Sequence, residues 1–306
     1  MDVLQVLDQF RCLVVQYNTL HGIQRRGHVN LTGGEPFIRA DMAQILDYMG
    51  AHRQELTFGI LSNGSLLTRS MMEKLKESGA AFVQLSIDGD RLTHDSLRAP
   101  GDYARTFRKA RELEKLGIPT HISFTANSEN FHYLPHVAAK CRRYGITKLW
   151  TDRLVGIGNG EQLQTISAQL LPQYLKTLKK AQGNRLTRLL YPKTQVTANR
   201  ALQFMGANGN VYSCSAGDSL ITVDEFGQVM PCRRMPIVCG NALEDGLEKV
   251  YFEHPVFRQL RKHDIPAGCA GCVYQYLCRG GAKCQAYSIS GNFLRADPGC
   301  PLSAKF

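Results

Sequence analysis

The sequence predicts a mixed α/β fold, in which a partial, TIM-like (βα) barrel is followed by a small, loop-rich domain with many cysteines. Two observations predict this fold. Short β-rich runs alternate with helical patterns through the first half of the chain, and eight of the ten cysteines fall in the last third. Residues 157–205 are polar and carry no motif. We therefore expect a barrel over residues 1–156, bridging helices over 157–205 and a cysteine-rich domain over 206–306.

The composition is that of an ordinary globular protein. The chain has 306 residues, 43% of them hydrophobic and 21% charged, which excludes disordered and collagen-like classes. It lacks the run of about 18 apolar residues that a membrane helix needs. Its first residues include the acidic Asp2 and Asp8, whereas a signal peptide begins with basic residues. A cytoplasmic protein without membrane attachment is expected. The net charge of +11 suits an anionic partner, but no nucleic-acid-binding motif accompanies it, so nucleic acid is not expected.

Strand and helix alternate four times in the barrel region. Each helical pattern is followed by a glycine, the usual stop signal of a helix. The runs are largely apolar and recur about every 25 to 40 residues, which is typical of parallel strands covered by helices. The predicted strands are 28–32, 57–61, 82–87, 120–125 and 148–152, and the predicted helices are 41–49, 68–78, 102–116 and 132–144, ending at Gly50, Gly79, Gly117 and Gly145.

The front of the chain differs from this pattern. Residues 2–20 have an apolar stripe at helical spacing, but no strand precedes them. We expect that the sequence begins inside a βα unit and that the sheet therefore starts with an uncovered edge. A further helical stretch is predicted over residues 162–180.

Polar motifs follow each predicted strand. The first strand runs into Thr-Gly-Gly-Glu-Pro, residues 32–36, where two glycines permit close approach of a ligand and Glu35 offers a carboxylate to an ammonium group. Taken singly, each motif is ordinary turn chemistry. Together at one edge of a parallel sheet they predict a site for ribose hydroxyls and an amino-acid head group. The later motifs are Ser62-Asn63-Gly64, Ser86-Ile87-Asp88, Asn127 and Asp152-Arg153.

These motifs, in this order, resemble those of the radical S-adenosylmethionine enzymes over about residues 1–156. The resemblance implies that Gly33, Gly34, Glu35 and Pro36 hold S-adenosylmethionine, and that Ser62, Asn63, Ser86 and Asp88 contribute to the same pocket. It identifies no catalytic residue. The C-x3-C-x2-C motif that defines the family does not occur in these 306 residues. Cys12 stands alone on the apolar first helix and is predicted to be a buried structural thiol.

The cysteines of the last third have metal-ligand spacing. Cys214 and Cys232 form C-x17-C, and C-x2-C-x5-C-x5-C-x15-C runs from Cys269 to Cys300. Four thiolates can hold an iron–sulfur cluster or a structural zinc ion, and spacing alone does not separate the two.

Together with Cys-Arg-Gly-Gly at 278–281 and Ala-Asp-Pro-Gly-Cys at 296–300, this stretch resembles the SPASM extension of radical S-adenosylmethionine enzymes. The resemblance implies two auxiliary [4Fe-4S] clusters. The fourth ligand of the first cluster is left open. Cys239 is a candidate, but its apolar surroundings favour a buried core residue over a ligand. The implied ligands are Cys214, Cys232 and Cys284 for the first cluster and Cys269, Cys272, Cys278 and Cys300 for the second.

Function follows from the resemblance only. It implies a 5′-deoxyadenosyl-radical enzyme that matures a peptide or small protein, with an external electron donor such as flavodoxin or ferredoxin. Without the C-x3-C-x2-C ligands, the chain as printed is expected to be inactive alone. The alternatives are a non-catalytic iron–sulfur or electron-transfer protein and a zinc-binding structural protein.

Overall fold

A six-stranded parallel sheet forms the first part of the protein. The computed structural model describes residues 2–197, 200–206 and 211–303. The strands pair in chain order, and the sheet does not close into a barrel, so β1 lies at an edge. The mixed α/β prediction and all five predicted strands are confirmed. The strands are β1 (Gly27–Leu31), β2 (Leu56–Ser62), β3 (Phe82–Ser86), β4 (Thr120–Ala126), β5 (Lys148–Arg153) and β6 (Gln195–Thr197).

Strand β6 lies in the region for which only bridging helices were predicted. It pairs with β5 in parallel, with Lys148 opposite Gln195. A three-residue strand has no sequence pattern of its own, because its pairing with β5 defines it. The helix predicted over 162–180 begins later, at Leu171.

Helices cover the convex face of the sheet. Gly79, Gly117 and Gly145 have φ angles of 79°, 80° and 65° and end their helices as predicted. Gly50 does not, because it lies inside a helix that continues to Ala51. A Cβ at Gly50 would lie 3.3 Å from Ser78 Cα, so glycine permits close helix packing there. The helices are α1 (Val3–His21), α2 (Met42–Ala51), α3 (Arg69–Glu77), α4 (Arg91–Leu97), α5 (Asp102–Lys115), α6 (Leu134–Tyr144), α7 (Leu171–Gln182) and α8 (Arg185–Leu190).

The cysteine-rich region has little regular structure. Its described residues contain the hairpin strands β7 (Thr222–Val223) and β8 (Val229–Met230) and four short α-helices. Among the described residues, none of the helices is long and apolar enough to cross a membrane. The four helices are α9 (Leu247–Glu253), α10 (Pro255–Arg261), α11 (Gln275–Cys278) and α12 (Lys283–Ser290).

Helix α1 joins the two parts of the molecule. Its residues Val6 and Leu13 share a buried cluster with Leu247 and Tyr251 of α9. The prediction that Cys12 is buried is wrong, since Cys12 is exposed. The apolar stripe of α1 includes Leu13, and successive residues of a helix point about 100° apart, which turns Cys12 toward solvent.

Candidate functional site

The Thr-Gly-Gly-Glu-Pro loop lies at the carboxyl edge of the sheet and is attached to the end of β2. The buried Glu35 carboxylate accepts hydrogen bonds from Ser62 Oγ, at 2.8 and 2.9 Å from its two oxygens, and from the Asn63 N–H at 2.9 Å. Its two oxygens are largely used inside the protein. The loop therefore offers its backbone to a ligand, and Glu35 fixes the position of that backbone.

Gly33 and Gly34 are the open part of this loop. Gly33 has a φ angle of 152°, which disfavours any residue with a side chain. No heavy atom lies within 4 Å of where a Cβ would stand on either glycine. Pro36 is buried behind them and begins a short 3₁₀ turn. Exposed glycine backbone above a buried anchor fits the predicted pocket for an amino-acid head group.

The loop after β3 is held by a polar network in which Asp88, His94 and Asp102 are buried and Arg98 is exposed. Arg98 donates to Asp88 Oδ2 at 2.7 and 3.0 Å, and the Asp88 N–H donates to His94 Nδ1 at 3.1 Å. His94 Nε2 lies 2.9 Å from Asp102 Oδ2. Asp88 thus has a protein partner already, while Ser86 stands half-buried at the end of the strand.

Asn127, after β4, takes part in its own turn. Its side-chain oxygen accepts the N–H groups of Glu129 and Asn130, each at 2.9 Å. Asn130 in turn donates to the Asp88 carbonyl at 2.9 Å, which ties the β3 and β4 loops together. The structure therefore gives Asn127 the role of a turn residue.

The concave face of the sheet carries polar and aromatic side chains that the sequence analysis missed. Trp150 Nε1 on β5 donates to Gln84 Oε1 on β3 at 2.7 Å. Phe82 and His121 stack with ring centroids 4.2 Å apart. Burial, with the nearby Lys148 charge, lowers the pKa of His121 to about 4. The signal was the alternation of side chains along a strand, which is clearest in β4, where His121, Ser123 and Thr125 alternate with buried residues.

Four cysteines surround one pocket in the C-terminal part. They are Cys269, Cys272, Cys278 and Cys300, the set that the resemblance assigns to the second cluster. The pocket has an empty volume of about 350 Å³, part of it open to solvent, and apolar walls that include Phe204.

Gly281, with a φ angle of 78°, also lines this pocket. A Cβ at Gly281 would lie 2.5 Å from Asp297 Cβ, so the chain can approach Asp297 this closely only with glycine.

The other three cysteines form a second group. Cys284 lies in a buried cluster with Met235 and Leu260, and Cys214 and Cys232 pack against this cluster. The Arg234 N–H points at Cys232 Sγ, with the two atoms 3.4 Å apart. Backbone N–H groups directed at sulfur are a common means of tuning an iron–sulfur cluster.

The thiol chemistry of both groups fits a bound cluster. All ten cysteines are free of disulfides. Burial raises the pKa of Cys278 to about 11 and that of Cys284 to about 12, so these thiols are neutral at pH 7 until a metal replaces their protons. Within the described residues no three His, Cys, Asp or Glu side chains converge on one point as single-ion ligands. Cluster thiolates need no such convergence, because each binds a different iron.

Cys239 is separate from both groups. It is buried in the cluster formed by α1 and α9, as the core interpretation predicted, and burial raises its pKa to about 11.

A buried ion pair attaches the second cysteine pocket to the sheet. Arg153, at the end of β5, pairs with Asp297, and both side chains are almost fully buried. The Asp297 carboxylate also accepts the N–H groups of Ala282 at 3.0 Å and Gly299 at 2.9 Å. This contact joins residues 144 positions apart and places the pocket at the carboxyl edge of the sheet.

Comparison with known proteins agrees with this geometry. The model of the radical SAM superfamily matches residues 17–141, and the SPASM model, an iron–sulfur cluster-binding domain, matches residues 214–273. Residues 17–141 therefore resemble a radical SAM domain, and residues 214–273 resemble a SPASM domain. The cofactors of these domains are S-adenosylmethionine and [4Fe-4S] clusters.

Curated relatives span most of this chain. The AdoMet-dependent heme synthase of Methanosarcina barkeri is 26% identical over 285 residues, covering 88% of this chain and 81% of its own. The mycofactocin maturase MftC of Mycobacterium ulcerans is 29% identical over 287 residues, covering 89% and 74%.

Solved structures share the fold. SuiB of Streptococcus suis with bound S-adenosylmethionine aligns with a TM-score of 0.71 at 15% identity, over 96% of this chain and 69% of SuiB. The anSMEcpe enzyme with bound AdoMet aligns with a TM-score of 0.71 at 19% identity, over 100% of this chain and 85% of that chain.

Proposed function

We propose that the protein is a radical SAM/SPASM oxidoreductase-type enzyme that modifies a peptide. The observation that carries this proposal is the convergence of three features at one sheet edge. The Gly-Gly-Glu-Pro loop lies at the β1 end of that edge, and both cysteine groups are joined to its β5 end through Asp152 and Arg153. A substrate above the concave face would contact both regions at once.

The residues divide into two sets of roles. In the proposed site, the backbone of Gly33 and Gly34 binds the S-adenosylmethionine head group, and Glu35 and Pro36 keep that loop in place. Ser62 and Asn63 lie beside it, while Ser86 and Asp88 complete the pocket from β3. Reductive cleavage of S-adenosylmethionine supplies the 5′-deoxyadenosyl radical that abstracts hydrogen in this family.

The cysteine groups form the second set. In the proposal, Cys214, Cys232 and Cys284 hold the first auxiliary cluster, and the four cysteines of the pocket hold the second. One ligand of each group, Cys284 and Cys278, is buried, which keeps that side of a bound cluster away from bulk water. The division at residues 156 and 206 belongs to the same proposal, as does a reducing cytoplasmic location, which suits ten free thiols. An external flavodoxin- or ferredoxin-type donor would supply electrons.

Two relatives suggest the substrate class. MftC is a maturase, and SuiB has been solved with a precursor peptide bound, which favours a peptide. The likeness to heme synthases over 88% of the chain favours a second candidate, a tetrapyrrole with carboxylate side chains.

The test uses protein purified anaerobically from its native source. With S-adenosylmethionine, dithionite and a precursor peptide encoded near its gene, we expect 5′-deoxyadenosine and a mass change in the peptide. The matched control carries Gly34→Val, which blocks the open side of the loop and should abolish both products. Turnover of a tetrapyrrole without peptide turnover would replace the first candidate by the second. The absence of 5′-deoxyadenosine with either substrate would contradict the proposed enzyme.

A further inference from the structure

Two arginines pair with one acidic side chain at the end of β5, and a third adjoins one of them in the chain. Arg234 Nη1 lies 2.5 Å from Asp152 Oδ2, and Arg200 Nε lies 3.4 Å from the same oxygen. Arg233 and Arg234 form the two-residue turn between the bridged residues Cys232 and Met235, so Arg233 adjoins Arg234. The group holds three positive charges and one negative charge.

Arg233 is the member without a structural role. In the described ranges it makes no ion pair within 4.0 Å and no side-chain hydrogen bond, whereas Arg234 neutralises the half-buried Asp152. The Arg233 side chain is exposed. The residues of 198–199 and 207–210 are Ala, Asn and Gly, so those stretches add no acidic side chain. An accessible guanidinium next to an ion-paired group of two arginines and one carboxylate is suited to an anion.

The cluster lies between the concave face and the first cysteine group. The Arg200 guanidinium stands 4.7 Å above the Trp150 ring and 5.9 Å from the Tyr212 ring. On the other side, the Arg234 N–H points at Cys232 Sγ. The Gly-Gly-Glu-Pro loop is four strands away, which is about 19 Å at the usual strand spacing, so the anion is not the carboxylate of S-adenosylmethionine.

We propose that Arg200, Arg233 and Arg234 bind a carboxylate of the substrate, with Asp152 as the positioning residue. Guanidinium groups match the planar geometry of a carboxylate and can bind it through paired hydrogen bonds. The inference rests on the proposed function in one respect, because it takes the bound carboxylate to belong to the substrate. The proposed substrate therefore bears a carboxylate, which is bound beside the first cysteine group.

The test measures binding to the reconstituted 306-residue chain by titration calorimetry. The first probe is a precursor peptide with a free C-terminal carboxylate, compared with the same peptide as its amide. The second is a porphyrin with propionate side chains, compared with its methyl ester. The variants are Arg233→Gln, Arg233→Lys and, as a matched control, Arg69→Gln on the exposed face of α3.

We expect the acid form of one probe to bind and Arg233→Gln to weaken it about tenfold to a hundredfold, the usual loss for one charge-assisted hydrogen bond. Arg233→Lys should recover part of the affinity, and Arg69→Gln should change nothing. Because Trp150 is the sole tryptophan, its emission should change with the acid form and not with the amide or ester, and Arg200→Gln should suppress that change.

The outcomes separate this inference from the proposed function. Porphyrin binding that depends on Arg233, without peptide binding, supports the carboxylate site and contradicts the peptide substrate. Equal binding of acid and amide peptides, unaffected by Arg233→Gln, overturns the carboxylate site and leaves the peptide substrate in place. Inorganic phosphate that binds as tightly as either acid, or no binding of any acid, also overturns the inference.

Discussion

The buried pair between Arg153 and Asp297 should be a large contributor to the stability of the C-terminal part. Asp297 is fully buried and Arg153 is 3% exposed. Replacing Arg153 by Met leaves the Asp297 carboxylate with only the backbone donors of Ala282 and Gly299. An unpaired buried charge costs about 3–5 kcal/mol.

Urea unfolding, followed by far-UV circular dichroism and by cluster absorbance, measures this cost. With a slope of about 2 kcal/mol per molar urea, Arg153→Met should lower the midpoint by about 2 M. Adding Asp297→Asn should recover part of the loss, because the second change removes the unpaired charge. The control is Arg69→Met, since Arg69 pairs with Glu73 at the surface and the pair should contribute about 0.5 kcal/mol or less.

The reasoning is refuted if Arg153→Met costs no more than Arg69→Met. It is also refuted if the two changes at Arg153 and Asp297 add without coupling. Either result would mean that water reaches the pair, or that the C-terminal part does not depend on this contact with the sheet.

Three further predictions concern the clusters and the sheet. Replacing Cys269 and Cys272 together by Ala should reduce iron from about eight to about four atoms per chain, whereas the exposed Cys12→Ala should leave it unchanged, as measured by iron analysis. The 306-residue chain alone should form no 5′-deoxyadenosine by chromatography, and its detection would show that other residues bind a third cluster. The pKa of His121, about 4, lies below its unfolded value near 6.5, so the unfolded state binds the proton first and stability falls as pH drops between these values. Between pH 7 and pH 4 this loss is about 3 kcal/mol. Urea titrations at the two pH values should show that His121→Asn removes most of it, while the exposed His132→Asn does not.

Much of the fold could be predicted because it is encoded locally. The five predicted strands are largely apolar runs, and Gly79, Gly117 and Gly145 mark helix ends through their positive φ angles. The contact between Glu35 and Ser62 follows from parallel pairing, which brings successive strand ends to one edge. The two cysteine groups follow from family resemblance, since spacing alone did not distinguish zinc from iron.

The rest depends on contacts between distant parts of the chain. The pairing of Arg153 with Asp297 spans 144 residues, and no local pattern connects them. The exposure of Cys12 was missed because neighbouring residues of a helix face different directions: Leu13 is buried, whereas Cys12 points to solvent. Asp152 was predicted as a ligand group at a strand end, but its two arginine partners come from other parts of the chain.

The central claim is that the cysteines of the C-terminal part hold iron–sulfur clusters. The most direct measurement is iron, zinc and acid-labile sulfide in the 306-residue chain, purified and reconstituted without oxygen. We predict about eight iron and about eight sulfide per chain, with little zinc. Zinc bound by these thiolates, with no acid-labile sulfide, would contradict the claim.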